Sequence, residues 1–216
     1  MGSTSRYTFT FEKLVEVSST DFVGHSVAGT LFVLALITHF YNYRKGLGFT
    51  YWWFLVNGYL IHLYMDGLAA YFEYSKTTHY LYSQMDARFL RDDKMVAIVS
   101  LGETFVMGPL CIVIALLYKS TKLEHNLLRE VLILVVSAFQ ICGTVVFCAQ
   151  PVWAGFIEQC GAEGCFTFSI FNIFFFWFSF VFCDSIWIWQ PIKEIVKSYR
   201  RLELLIKPQP QKVKKN

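Results

Sequence analysis

The sequence predicts an all-α, polytopic membrane protein built as a bundle of five transmembrane helices. Three observations support this prediction. Hydrophobic residues make up 55% of the 216 residues and charged residues only 16%, whereas a soluble domain carries about 25% charged residues. Five long apolar runs alternate with polar segments. Lysine and arginine are unevenly divided between the two sets of connecting segments, as they are in membrane proteins.

Each apolar run has the length that a helix needs to cross a bilayer, roughly 20 residues. The runs cover about 22–43, 51–73, 95–118, 127–150 and 166–190. Arg44-Lys45-Gly46 follows the first run, and we expect Pro151 to end the fourth helix and Gln190-Pro191 to end the fifth, because proline interrupts helices. The polar residues 75–94, between the second and third runs, have room for a short interfacial helix.

The polar ends of the chain predict its orientation and location. We expect a lumenal N-terminal segment at 1–21, a membrane domain at 22–200 and a basic cytoplasmic tail at 201–216, because thirteen Lys and Arg fall on the C-terminal side and six on the other. Beside so hydrophobic a chain, the basic tail indicates contact with membrane lipid rather than nucleic acid. The ending KVKKN places Lys212 and Lys214 in a K-x-K-x-x pattern that resembles an endoplasmic-reticulum retrieval signal.

The six cysteines divide into two groups. Four lie in apolar runs, where cysteine behaves as a small hydrophobic residue. Cys160 and Cys165 lie in the short polar loop QCGAEGCF, where a lumenal disulfide is compatible with the sequence but not decided by it. No histidine accompanies this pair, so we expect no metal site there.

Polar residues inside the predicted spans are the candidate functional residues, because an ionisable group in hydrocarbon costs at least about 2–3 kcal/mol. His62 and Asp66 lie one helical turn apart in the second span, Glu103 lies in the third, Gln140 in the fourth and Asp184 in the fifth. Any one of them is equally well explained by a polar contact between helices. Four ionisable residues on three helices, with no Lys or Arg among them to pair with, favour a shared cavity.

Such a set of residues suits two kinds of chemistry. An acid that keeps its proton beside a base that does not is the arrangement that proton transfer requires. The same carboxylates also suit a site for a cationic ligand. Trp187 follows Asp184 by three residues on the same helical face, and an indole ring there can stabilise the positive charge of a carbocation or of an amine. Packing explains most of the other aromatic residues.

Five stretches of the sequence form a recognisable set: IHLYMDG, GETFVMGPL, VVSAFQICG, FFFWFSFVFCDSIW and the KVKKN ending. Together they resemble the emopamil-binding proteins. These proteins are the 3β-hydroxysteroid Δ8-Δ7 sterol isomerases of the endoplasmic reticulum, within the EXPERA superfamily. The resemblance extends from about residue 20 to 200 and is most specific from Phe176 to Trp187.

The resemblance implies migration of a ring double bond by acid–base chemistry, without a redox cofactor or a metal. An acid protonates the sterol alkene, a tertiary carbocation forms, and a base removes a neighbouring ring proton. The histidine of the family corresponds to His62, its acid one turn later to Asp66, and its cation-facing tryptophan to Trp187. We therefore expect His62 and Asp66 to be the proton-donating couple, in which Asp66 orients the imidazole, and Glu103 to be the base or a second acid.

Three positions depart from the family pattern. Ser100 stands where the family has its essential glutamate, while Glu103, one turn later, can reach the same cavity. Asp184 replaces an asparagine, and HYLY replaces a Trp-Lys-Glu-Tyr stretch, of which Tyr82 remains, followed by Asp86-Ala87-Arg88. The placement of Glu103 six residues before a proline is similar to the sigma-two receptor branch, which binds amines and sterols.

The leading hypothesis is therefore an integral membrane isomerase that shifts Δ8 to Δ7 in a sterol or related polycyclic lipid. Asp184 and Trp187 would stabilise the cation, and Ser100 and Gln140 would contact the substrate. The alternative is a non-catalytic protein that binds sterols or cationic amphiphiles, which the excess of carboxylates favours. A proton-coupled transporter also explains intramembrane acids, but the sequence shows no internal repeat. The sequence leaves open the exact substrate and whether the protein forms a homodimer.

Overall fold

The computed structural model of the protein describes residues 9–43, 47–91, 93–160 and 164–207, and these residues form helices but no strand. Arg44-Lys45-Gly46 and the retrieval-like Lys212 and Lys214 lie outside the described residues. Within them, the α-helices are α1 (Phe11–Thr20), α2 (Phe22–Asn42), α3 (Phe49–Val56), α4 (Lys76–Met85), α5 (Lys94–Gly102), α6 (Gly108–Leu117), α7 (Leu123–Trp153) and α8 (Asp184–Ile206).

Three stretches of the chain are wound as π-helix and continue neighbouring α-helices. They are π1 (Asn57–Tyr71) after α3, π2 (Glu103–Met107) between α5 and α6, and π3 (Asn172–Cys183) before α8. A short 3₁₀ helix spans Ala87–Leu90. The α4 helix occupies the polar segment between the second and third spans, which has room for a short helix.

Four helical segments among the described residues are long and apolar enough to cross a membrane: Phe22–Asn42, Lys94–Leu117, Leu123–Trp153 and Asn172–Ile206. The all-α class and several apolar helices are thus confirmed, but the predicted count of five spans is not. The chain is also helical through α3 and π1, where the second span was predicted. This segment is less apolar than the other four, because it carries Asn57, His62 and Asp66.

Two predicted helix ends are wrong. Helix α7 continues past Pro151 to Trp153, and α8 continues past Pro191 to Ile206. A proline inside a helix costs about 3 kcal/mol, but buried contacts hold α8 beyond it. Thr50 donates a hydrogen bond to the Glu194 carboxylate at 2.7 Å, and Ser198 donates to the Glu130 carboxylate at 2.8 Å. These contacts join α3, α7 and α8 at one end of the bundle, and α8 runs through the predicted domain boundary at residue 200.

At the opposite end, Asp21 joins α2 to α4. Its buried carboxylate accepts hydrogen bonds from the Gly24 backbone at 3.2 Å, the Ser75 hydroxyl at 2.6 Å and the Thr77 backbone at 3.0 Å. The helices approach so closely here that a Cβ atom on Gly24 would lie 2.5 Å from the Ser75 Cβ. Asp21 therefore caps α2 and anchors the start of α4 at the same time.

A buried ion pair fixes the segment after α4. Arg88, only 1% exposed, pairs with Asp86 at 2.6 Å, and its guanidinium donates to the Gln150 side chain and the Phe147 carbonyl oxygen, both at 3.1 Å. The loop after α7 packs on the same segment, because the Ala87 backbone donates to the Glu158 carbonyl at 2.9 Å. Within that loop, a disulfide joins Cys160 to Cys165.

Candidate functional site

A cavity of about 550 Å³ lies between π1, α4, α5, π2, α7, π3 and α8. Its volume falls within the range of roughly 300–1,000 Å³ that is usual for ligand pockets. Its lining is mostly apolar and aromatic. All seven residues selected from the sequence line it: His62, Asp66, Ser100, Glu103, Gln140, Asp184 and Trp187. Ser100 and Glu103 therefore both reach the cavity.

The π-helical stretches carry much of this lining. In a π-helix the backbone N–H bonds to the carbonyl five residues earlier, as Phe72 does to Gly67 and Gly108 to Glu103. His62 and Asp66 lie in π1, Glu103 begins π2, and Asp184 directly follows π3. Short π-helical stretches in other proteins are frequent at functional sites, and their position here brings the ionisable groups to the same cavity.

A close approach between π1 and π2 places their two acids beside each other. A Cβ atom on Gly67 would lie only 2.0 Å from Thr104 Oγ1, so only glycine permits this contact. The Thr104 hydroxyl donates to the Ser100 carbonyl oxygen at 2.7 Å, which fixes its side chain. Asp66 directly precedes Gly67 in the chain, and Glu103 directly precedes Thr104. The contact between Gly67 and Thr104 therefore determines how far apart the two carboxylates lie.

His62 and Asp66 form a hydrogen-bonded pair that Tyr82 extends. His62 Nδ1 lies 3.3 Å from Asp66 Oδ2, and the Tyr82 hydroxyl donates to Asp66 Oδ1 at 2.7 Å. Burial and the neighbouring Asp66 raise the pKa of Tyr82 well above its usual 10.0, so its hydroxyl stays a donor. Tyr82 was not among the candidate residues. Its only signal in the sequence was its place in the stretch that departs from the family pattern.

On its other side, His62 is held by an amide pair. Gln140 Nε2 lies 3.1 Å from His62 Nε2 and 3.2 Å from Asn57 Oδ1, and Asn57 Nδ2 donates to the Trp53 carbonyl oxygen at 2.6 Å. His62 is only 3% exposed and Asn57 only 1%. Asn57 was not among the candidate residues, although an amide within an apolar run is a signal in the sequence that it has a polar partner.

The fifth predicted span supplies a third acid and an indole ring. Cys148 Sγ donates to Asp184 Oδ2 over 3.5 Å. The Trp187 ring lies 6.1 Å from the His62 ring and 4.9 Å from the Trp53 ring, measured between centroids. No lysine or arginine lines the cavity in the part of the chain that the structure describes. The carboxylates therefore have no cationic partner within the cavity itself.

His62, Asp66 and Glu103 have the side-chain types of a metal site, and one potential ligand atom of each lies within 4.8 Å of the others. A metal ion would need a bare ring nitrogen on His62. His62 Nε2 already faces the Gln140 amino group at 3.1 Å. Binding through Nδ1 would leave a proton on Nε2, which would then oppose that amino group. The hydrogen bonds around the imidazole thus do not fit a metal, and we assign no step to one.

A comparison with protein families identifies the chain. The model of the EBP family, described as EXPERA (EXPanded EBP superfamily), matches residues 71–198, more than half of the chain. The chain belongs to the EXPERA family. The matched EXPERA range contains the cavity residues of α4 to α8, whereas His62 and Asp66 precede it. No individual curated protein matches the chain.

Proposed function

We propose that the protein is an integral membrane isomerase that shifts a ring double bond from Δ8 to Δ7 in a sterol or related polycyclic lipid. The observation that carries this proposal is the composition of the cavity. Three carboxylates and an imidazole share about 550 Å³ with mostly apolar walls, in a chain whose family includes sterol isomerases. Aromatic and aliphatic side chains suit a rigid polycycle, and the ionisable groups suit proton transfer to and from its carbon atoms.

The reaction needs an acid, a base and a group that stabilises a cation. The alkene π electrons form a C–H bond with the proton of the acid and leave a tertiary cation on the adjacent carbon. The base then removes a proton from a neighbouring ring carbon, and the electrons of that C–H bond form the new double bond. His62, Asp66 and Glu103 provide the proton transfers, while the Asp184 carboxylate and the Trp187 indole stabilise the cation.

The apolar walls contribute to the same chemistry by limiting access of water, which would otherwise capture the cation. Ser100 and Gln140 complete the wall around the reacting carbons. We also place the protein in the endoplasmic-reticulum membrane with its C-terminus in the cytoplasm, on the strength of its basic tail and KVKKN ending. Protease protection of a C-terminal tag in isolated microsomes tests this orientation, since a protected tag would reverse it.

The decisive experiment is complementation of a cell that lacks sterol isomerase activity, combined with an assay in deuterated water. Membranes that contain the protein are incubated with a Δ8-sterol, and each turnover is expected to place one solvent deuteron in the Δ7 product. Glu103→Gln preserves the side-chain volume and should lower kcat by about 10²–10⁴-fold, the usual contribution of a positioned acid or base.

A matched control is Glu124→Gln, because the Glu124 side chain is 72% exposed and lies at the start of α7, outside the cavity. It should leave turnover unchanged. Full activity of Glu103→Gln would exclude a catalytic role for Glu103. Absence of a Δ7 product from the wild-type protein, in cells and in membranes, would exclude the isomerase.

A second candidate function is non-catalytic binding of sterols or cationic amphiphiles. The observation that favours it is the absence of lysine and arginine from the cavity lining among the described residues, opposite three carboxylates. An amine with an apolar body would pair with those carboxylates and fill the apolar walls. Saturable binding of a labelled sterol or amphiphilic amine, without deuterium incorporation into any sterol, would favour this function over the isomerase.

A further inference from the structure

The hydrogen bonds around His62 determine which ring nitrogen carries its proton. At one end of this chain of hydrogen bonds is the Trp53 carbonyl oxygen, which can accept a hydrogen bond but cannot donate one. The Asn57 atom 2.6 Å from it must therefore be the amino nitrogen, which turns Asn57 Oδ1 toward Gln140. At 3.2 Å from that oxygen, Gln140 in turn must present its amino group.

The same amino group of Gln140 lies 3.1 Å from His62 Nε2. An amide amino group has two hydrogens, so it can donate to Asn57 and to His62 at once, provided that Nε2 is bare. The proton of the neutral imidazole then resides on Nδ1, which faces Asp66 Oδ2 at 3.3 Å. The other oxygen of Asp66 accepts from Tyr82 at 2.7 Å. Both oxygens of Asp66 thus accept hydrogen bonds, as those of a carboxylate do.

The unpaired oxygen of Gln140 agrees with this orientation. Gln140 Oε1 is buried and has no hydrogen-bond partner among the described residues. Rotating the amide by half a turn would let Oε1 accept a proton from His62 Nε2. It would also place Oε1 against the Asn57 oxygen, where two acceptors repel each other. The hydrogen bond that Asn57 Oδ1 accepts from Gln140 therefore outweighs the cost of leaving Gln140 Oε1 unpaired.

We infer that Gln140, oriented by Asn57, is a positioning residue that keeps His62 neutral with its proton on Nδ1, so that Asp66 acts as the base and Glu103 as the acid. The division of roles rests on the proposed isomerase function, whereas the tautomer of His62 does not. This assignment differs from the expectation drawn from the resemblance, in which His62 and Asp66 donate the proton. A second proton on His62 Nε2 would oppose the Gln140 amino group, which removes the imidazolium as the donor.

Groups from every neighbouring element act on His62. Asp66 faces it from π1, Glu103 from π2 and Trp187 from α8, while Asp184 on α8 lines the same cavity and Tyr82 on α4 acts through Asp66. The carboxylates favour an imidazolium, whereas burial of the ring and the donor from Gln140 oppose it.

Glu103 is the carboxyl group that suits the role of acid. Its side chain lines the cavity, and within the described ranges no residue donates a hydrogen bond to its carboxyl oxygens. One oxygen of Glu103 lies within 4.8 Å of its counterpart on Asp66. The Glu103 O–H bond breaks as its proton joins the alkene, and Asp66 takes the ring proton from the resulting cation. Between turnovers Asp66 releases that proton to solvent and Glu103 takes one up from solvent, which restores the starting state with no net gain or loss of protons.

Nuclear magnetic resonance of the full-length protein with ¹⁵N-labelled histidine tests the tautomer directly. The chain has only five histidines, and the signal of His62 is assigned by its disappearance in His62→Asn. At neutral pH the wild-type His62 is expected to show one bare and one protonated nitrogen. Gln140→Glu offers an acceptor to Nε2 and should produce two protonated nitrogens. Gln140→Met has a similar volume but no donor, and should leave Nε2 bare.

The kcat values of the Gln140 variants distinguish a positioning role of Gln140 from a merely structural role. Gln140→Met should lower kcat by about tenfold, and Gln140→Glu, which creates the imidazolium, by about 10²-fold or more, within the range of acid–base contributions. Thermal unfolding of both variants shows whether they fold alike. Equal losses of kcat with an unchanged His62 signal in both variants would overturn the positioning role.

The wild-type spectrum also distinguishes failure of this inference from failure of the proposed function. A doubly protonated His62, or a neutral ring with its proton on Nε2, would overturn the inference even if the protein is an isomerase. A wild-type protein without isomerase activity, but with a bare Nε2, would overturn the division of roles between Asp66 and Glu103 and support the positioning of His62 by Gln140.

Discussion

Replacing Gly67 with alanine tests whether the close approach of π1 and π2 determines the geometry of the site. The added Cβ would lie 2.0 Å from Thr104 Oγ1, 2.8 Å from its Cγ2 and 2.9 Å from its Cβ, whereas ordinary contacts begin at 3.4 Å. Rotation of the Thr104 side chain relieves only the first two contacts and breaks its 2.7 Å hydrogen bond to the Ser100 carbonyl. The Cβ contact remains, so the two segments must move apart by about 0.5 Å or more.

Two opposing effects set the size of the change in stability. Overfilling a packed contact costs typically 1–3 kcal/mol, and replacing glycine by alanine within a helix returns about 0.5–1 kcal/mol. We therefore expect the free energy of unfolding to fall by about 1–2 kcal/mol. The effect on turnover should be larger, because a displacement of about 1 Å in a reacting group can cost 10²-fold in rate.

The assay compares thermal unfolding of the purified protein with the initial rate of Δ7-sterol formation. Gly29→Ala is the matched control, because nothing lies within 4 Å of a Cβ at that helical position. It should leave the rate unchanged and stability equal or higher. Adding Thr104→Ala to Gly67→Ala removes the two closest contacts and should restore much of the rate. A Gly67→Ala variant with wild-type stability and rate, or a double variant no better than the single one, would refute the reasoning.

Three further changes test the network around the site. Burial raises the pKa of Asp21, but hydrogen bonds, chiefly from Ser75, outweigh it and lower the value from 3.8 to about 2; about 2 kcal/mol of stability is thus present above pH 3.8 and lost as the pH falls toward 2. Asp21→Asn should abolish that part of the acid dependence of Tm, and an unchanged profile would contradict the assignment. Arg88→Met leaves the Asp86 carboxylate buried without its cation and should cost about 3–5 kcal/mol, and adding Asp86→Asn should recover part of the lost Tm. Tyr82→Phe removes one donor to Asp66 and should lower kcat by about tenfold with little change in Tm; a wild-type kcat would show that this hydrogen bond is dispensable.

The sequence predicted the all-α membrane class and four of the ionisable residues that line the cavity for the same physical reason. An ionisable group is costly in hydrocarbon, so each one within an apolar run indicates a polar environment that the fold must provide. His62, Asp66, Glu103 and Asp184 could be selected on that basis without knowledge of their contacts. The hydrogen-bond partners could not, because partners such as Asn57 and Gln140 come from different helices, and their pairing depends on how those helices pack.

The incorrect helix ends have a related cause. Proline is a reliable local signal for the end of a helix, but the residues beyond Pro191 are held by contacts with Thr50 and Glu130, which are distant in sequence. The π-helical winding of π1, π2 and π3 also had no recognisable signal in the sequence. In both cases tertiary contacts outweigh the local preference of the chain.

Glu103, the acid of the third span, shows how the π-helical winding affects the site. The resemblance placed the essential acid of the family at position 100, where this chain has serine, and raised the question whether Glu103 can replace it. Glu103 begins π2, directly before Thr104, whose contact with Gly67 fixes π2 against π1. One carboxylate oxygen of Glu103 therefore lies within 4.8 Å of the reacting groups of both His62 and Asp66. An acid displaced by one turn can serve the same cavity because its partners are set by the contact between two helices, and not by its position in a motif.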